Sequence, residues 1–165
     1  MTDFLVSLRL KLMRRLGFKI IFLSYRRRDS SDISGRLYDR LVKKYGKCCV
    51  IKDVNSIPLG VDFRDYIEQT IPLCNVFIAV IGPNWHDGSL DSVCESDEPG
   101  DMVNFELQCA VRHGLRIIPV LVGDAKIPAR DTLPDGLKGL SGRQGMSLRA
   151  DPDFHTDCSR LIAGL

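Results

Sequence analysis

Apolar stretches of strand length recur along this chain of 165 residues, and each is followed by a segment of helical period. KIIFLSY (19–25), CCVIKDV (48–54), NVFIAVIG (75–82) and RIIPVLVG (116–123) read as strands, the first and third as fully buried ones. Between them, Ser30, Ser31 or Asp32 can cap a helix to about Lys44 that places Ile33, Leu37, Leu41 and Val42 on one face. Gly46 ends it. A second helix is expected from Asp62 to Ile71, stopped by Pro72. A third spans Met102–His113, with Met102, Phe105, Cys109 and Ala110 on its inner face, and Gly114 closes it. Residues 124–140 are rich in Pro and Gly, with room for one short helix near Leu137. Residues 143–149 form a weaker fifth strand by composition, and 151–165 a last helix.

Regular alternation of this kind means a parallel sheet covered on both faces, with right-handed crossovers. The expected fold is α/β: a flavodoxin-like three-layer sandwich with a central five-stranded parallel sheet. Ligands of such sheets bind outside the carboxyl ends of the strands, at the point where strand order reverses. The segments that matter for chemistry are therefore those after Tyr25, Asp53, Gly82 and Gly123.

A chain of this length holds one domain and a full core. Its net charge of +2 hides an asymmetry: residues 1–28 sum to +7 and residues 29–165 to −5. Residues 1–18 form a basic amphipathic leader, with Phe4, Leu5, Leu8, Leu12 and Leu16 at helical spacing and Arg9, Arg14 and Arg15 elsewhere on the wheel. A membrane-surface role suits such a helix, but docking, linking or a poorly ordered leader is the plainer reading, so neither a membrane nor a nucleic acid is an expected partner. No apolar run reaches membrane-spanning length. Six cysteines form no CxxC and no metal-ligand spacing, which points to reduced thiols and a cytoplasmic location.

SYRRRD (24–29) sits at the end of the first strand. A Ser, a Tyr and three Arg there suit phosphates and an aromatic ring, although a solvated, salt-bridged loop is the plainer reading of the Arg run alone. GxGxxG, GxxxxGK[ST] and GxSxG are all absent. Asp53 could be a phosphoacceptor, but a bracing role fits its place after the second strand better. Residues 83–101 form a long acidic loop without apolar period. His113 reads as a helix-terminal cation. Glu106 is the only acid in the third helix after Asp101. A lone helical Glu is by default a surface group. This one lies beside the apolar face and close to the ligand edge.

FLSYRRRDSSDISGRLYDRL (22–41), DVNSIPLGVDFRDYIEQTI (53–71), VFIAVIGPNW (76–85), NFELQCAVRHGLRIIPVLVG (104–123) and FHTDCSRLIAGL (154–165) together resemble a bacterial TIR (Toll/interleukin receptor) domain. The resemblance covers roughly 19–165. It implies an enzyme that cleaves the nicotinamide–ribose bond of NAD+, by hydrolysis to ADP-ribose or by cyclisation. NAD+ is then the substrate, and neither a metal nor a second cofactor is required. Glu106 matches the family's catalytic glutamate. Tyr25, Arg26 and Arg27 match positions that line the substrate cleft. Ile57 and Phe63 lie on the loop after strand two, which shapes the pocket and meets neighbouring TIR domains.

Where the family often has a Trp one turn before the glutamate, this chain has Met102, which covers a ring without stacking as an aromatic does. Trp85 either compensates by folding back or packs as an ordinary core residue. The implied role is anti-phage immunity or cell suicide, with activity on self-association. The competing reading is a non-catalytic TIR adaptor that acts through TIR–TIR contacts. A deoxyribosyltransferase-like chemistry fits the SYRR and loop segments less well.

Overall fold

The computed structural model describes residues 2–52, 60–85 and 100–165; of residues 2–6, 28, 100 and 101 it describes the backbone alone. Five strands, β1 (Ile21–Tyr25), β2 (Val50–Lys52), β3 (Val76–Ile81), β4 (Arg116–Val122) and β5 (Met146–Leu148), form one sheet in the order β2-β1-β3-β4-β5. All four pairings are parallel. This is the flavodoxin-like order, whose reversal lies between β1 and β3. The register there pairs Ser24 with Ala79 and Tyr25 with Val80.

Five helices cover the sheet: α1 (Thr2–Arg15), α2 (Arg27–Tyr45), α3 (Phe63–Thr70), α4 (Gly100–Arg112) and α5 (Phe154–Gly164). Side chains alternate across each strand and divide the core in two. Ile20, Phe22, Phe77, Ala79 and Ile81 face Tyr66, Ile67, Leu107 and Ala110 of α3 and α4, and Leu10 of α1 joins them. Ile21, Leu23, Tyr25, Ile78 and Val80 face Leu37, Leu41, Phe154 and Cys158 of α2 and α5. The rings of Phe22 and Phe77 stack at 5.4 Å and tie β1 to β3. Every residue of β1 and β3 is buried, which is why both read as unbroken apolar runs.

The helix ends follow local chemistry. Asp62 caps α3 by accepting from the Arg64 and Asp65 amides at 2.8 and 3.3 Å. Gly46, at φ 88°, takes the turn that closes α2. The expectation that α2 starts at Ser30 to Asp32 needs correction. Its first turn begins at Arg27, and a break in helical geometry at Ser30 (φ −146°, ψ 24°) separates that turn from the regular helix. The polar run at 30–32 therefore marks a restart and not the beginning.

Near β5, Asp157 is 1% exposed and accepts three bonds from Arg149: from the backbone amide at 3.1 Å and from Nε and a terminal nitrogen at 2.9 Å each. The side-chain bonds to Arg149 pull its pKa down to about 2. The five described cysteines are free thiols, and burial pushes those of Cys74 and Cys158 up, the latter to about 11. Among the described residues, no helix is long and apolar enough to cross a membrane.

Candidate active site

The carboxyl end of β1 carries a polar residue inside an apolar run. Ser24 is 1% exposed and points to the α4 side of the sheet, in step with Ile20 and Phe22. A buried hydroxyl needs a partner. It finds one on α4, where the Ser24 hydroxyl donates to Glu106 Oε2 at 2.5 Å. Glu106 is itself only 4% exposed, so the helix delivers a buried carboxylate to the strand-order reversal between β1 and β3. The neighbours of Glu106 explain its orientation. Val103, Leu107 and Ala110 anchor α4 in the core and leave position 106 facing the end of β1.

A basic, aromatic wall stands on the same face. Trp85 is 4% exposed and belongs to the same core cluster as Ile81 and Val103. The Arg26 guanidinium lies 5.2 Å from the centre of its ring. Burial pulls the pKa of Arg26 down from its ordinary value, and Asp29 opposes that shift. Arg27 is exposed beside it. A second aromatic group sits where α3 meets α4. Phe63 and Phe105 make an edge-on contact at 6.3 Å, and Arg64 covers both rings.

The expected site residues thus separate. Glu106, Trp85, Arg26, Phe63 and the half-buried Met102 belong to the α3/α4 side or to the loop ends beside it. Tyr25 belongs to the other side. Its ring is 9% exposed in the α2/α5 core, with Lys52 Nζ 5.2 Å from its centre and 5.3 Å from that of Tyr38. Ile57, Asp53 and most of the acidic loop fall outside the described residues.

Two residues of this edge take roles that the sequence alone did not assign. Ser24 was legible as the one polar side chain of a buried strand, a signal that it required a buried partner. Asp29 was not legible. From the first turn of α2 its Oδ1 accepts from the Asn84 amide at 3.1 Å, while its carboxylate lies over Gly82. A Cβ at Gly82 would come within 1.9 Å of Asp29 Oδ2, so the close approach requires a glycine. Asp29 therefore ties the loop after β3 to the loop after β1.

Comparison with known proteins agrees with this architecture. The NAD(+) hydrolase tir-1 of Caenorhabditis elegans is 27% identical over 127 residues, which is 76% of this chain and 12% of that protein's length. The TIR domains in the structure of the activated Roq1 resistosome directly recognizing the pathogen effector XopQ superpose with a TM-score of 0.66. That match covers 88% of this chain and 98% of the other at 14% identity, and so speaks to the fold alone. The TIR domain family matches residues 21–162, from the first residue of β1 into α5. By the extent of that match, this chain belongs to the TIR domain family.

Proposed function

We propose that the domain cleaves the nicotinamide–ribose bond of NAD+, with Glu106 as the catalytic carboxylate. The observation that carries this reading is a buried carboxylate, held by a buried serine, at the strand-order reversal of the sheet. The similarity to an NAD(+) hydrolase supports the choice of substrate.

Departure of neutral nicotinamide takes the C–N bonding pair and leaves a ribose of oxocarbenium character. A carboxylate already oriented beside that ribose stabilises the developing positive charge and can accept from its hydroxyls. Water then adds to the anomeric carbon and loses a proton, giving ADP-ribose. A nucleophile within the same dinucleotide would instead give a cyclic isomer. Arg26 and Arg27 supply positive charge for the pyrophosphate. Phe63 and Met102 supply apolar surface to the cleft, Trp85 backs the Arg26 guanidinium from the core, and Tyr25 braces the end of β1 from the opposite core. Activity on TIR–TIR self-association, a cytoplasmic setting and a role in anti-phage immunity complete the proposal.

The test is nicotinamide release from NAD+, alone and with a crowding agent that promotes assembly. Wild type releases nicotinamide and Glu106→Ala does not. Silence of the wild type under assembling conditions would overturn the enzymatic reading in favour of a non-catalytic adaptor. Equal activity of the two proteins would remove Glu106 from its role.

A further inference from the structure

The leader helix docks by an unexpected face. Its most continuous apolar row is Leu8, Leu12 and Leu16, one helical turn apart, and the Leu16 amide still bonds to the Leu12 carbonyl at 3.0 Å. A helix that only docked would turn this row inward. Here Leu10 is buried in the core at 2% exposure and Met13 packs against it, while the Arg14 guanidinium donates to the Pro72 carbonyl at 3.0 Å. These contacts set the rotation of α1 and leave the leucine row outside. Leu8, Leu12 and Leu16 are 52%, 56% and 66% exposed, and Phe18 follows at 48%.

Charge frames this row. Helical spacing puts Lys11 and Arg15 along one flank and Arg9 on the other, all exposed. The groove between α1 and Leu73 is lined by Leu8, Lys11, Leu12, Arg14, Arg15 and Leu73, with no acid among them. A leucine row between basic flanks matches a bilayer interface that carries anionic headgroups. It is poorly matched to a second copy of itself, because pairing two such faces would oppose their basic flanks.

We propose that the outer face of α1 seats this domain on an anionic membrane surface, with Leu8, Leu12, Leu16 and Phe18 entering the interface and Arg9, Lys11 and Arg15 meeting the headgroups. The helix docks through Leu10 and Met13, and its outer face would then carry this second role. Such attachment requires no spanning segment.

The test is co-sedimentation of the full chain with vesicles of phosphatidylcholine alone and with about a third phosphatidylserine added. No NAD+ is present, so the outcome is independent of the proposed catalysis. Binding is expected to the anionic vesicles only, and to weaken with added salt. Paired Leu8→Glu and Leu12→Glu substitutions should weaken it by about tenfold or more. Paired Lys11→Glu and Arg15→Glu should weaken it by at least about fivefold for each base lost. All four side chains are exposed, so circular dichroism and the melting temperature should stay at wild-type values. Failure to bind anionic vesicles overturns the proposal. So does binding that ignores the leucine substitutions, which would be charge adhesion alone. A solution dimer abolished by Leu8→Glu and Leu12→Glu would give the face to a second copy and overturn it as well.

Discussion

Replacing Ser24 with alanine removes one oxygen and tests how the carboxylate is held. The Ser24 hydroxyl donates to Glu106 Oε2 at 2.5 Å, and both residues are nearly inaccessible, at 1% and 4% exposure. That length belongs to the short, charge-assisted class of hydrogen bonds. Such bonds contribute about 1.5–3 kcal/mol. Alanine fits the site without a clash, so the loss falls on the orientation of Glu106. If the carboxylate must meet the oxocarbenium ribose in one rotamer, the full amount appears in the barrier, a fall of about 10–150-fold in kcat. KM should change little, since Ser24 lies beneath the carboxylate and not on the pyrophosphate wall. The assay is nicotinamide release under assembling conditions, with kcat and KM fitted separately and the melting temperature recorded. Ser24→Cys, a weak donor of similar shape, should fall between serine and alanine. Adding Ser24→Ala to Glu106→Ala should change nothing further, because the two act as one unit. A folded Ser24→Ala protein with wild-type kcat would refute the positioning argument. So would an independent loss on top of Glu106→Ala.

Gly82→Ala puts a methyl 1.9 Å from Asp29 Oδ2 and must displace the carboxylate that holds the Asn84 amide; a loss of about 1–3 kcal/mol should appear in denaturant melts. Asp157 has a folded-state pKa of about 2 against an ordinary 3.8, so the unfolded chain takes the proton first as pH falls. Its stabilisation is whole above about pH 4 and gone below about pH 2; with Arg149 54% exposed, ~1 kcal/mol is expected, and Asp157→Asn should flatten that acid limb of the stability curve. Met102→Trp should raise the rate of nicotinamide release, and an unchanged rate would show that stacking at this turn of α4 does not limit the reaction.

The sheet was legible because its strands are buried on both faces. VFIAVI has no polar position to misread, and all six residues of β3 are buried. The weaker β5 shrinks from the expected 143–149 to Met146–Leu148, since its pattern carries a single fully buried position. Glu106 was legible by its place in the fold and not by its own chemistry. One hydroxyl that holds it lies 82 residues earlier in the chain. Asp29 was hidden in a run of charge, where local pattern cannot separate a side chain folded over β3 from its solvated neighbours. The leader misled in a different way. Its strongest apolar row suits the buried face of a docking helix, yet the contacts to the domain are made by Leu10, Met13 and the Arg14 guanidinium.

The contact between Asp29 and Gly82 also bears on how this edge can diverge. A carboxylate at 29 excludes any side chain at 82, and a side chain at 82 excludes the carboxylate from its seat. Neither position can drift alone without breaking the bond to the Asn84 amide. The pair should therefore change together or not at all. Exchange of single side chains meets no such constraint at Met102, which lies at the start of α4 away from this seam.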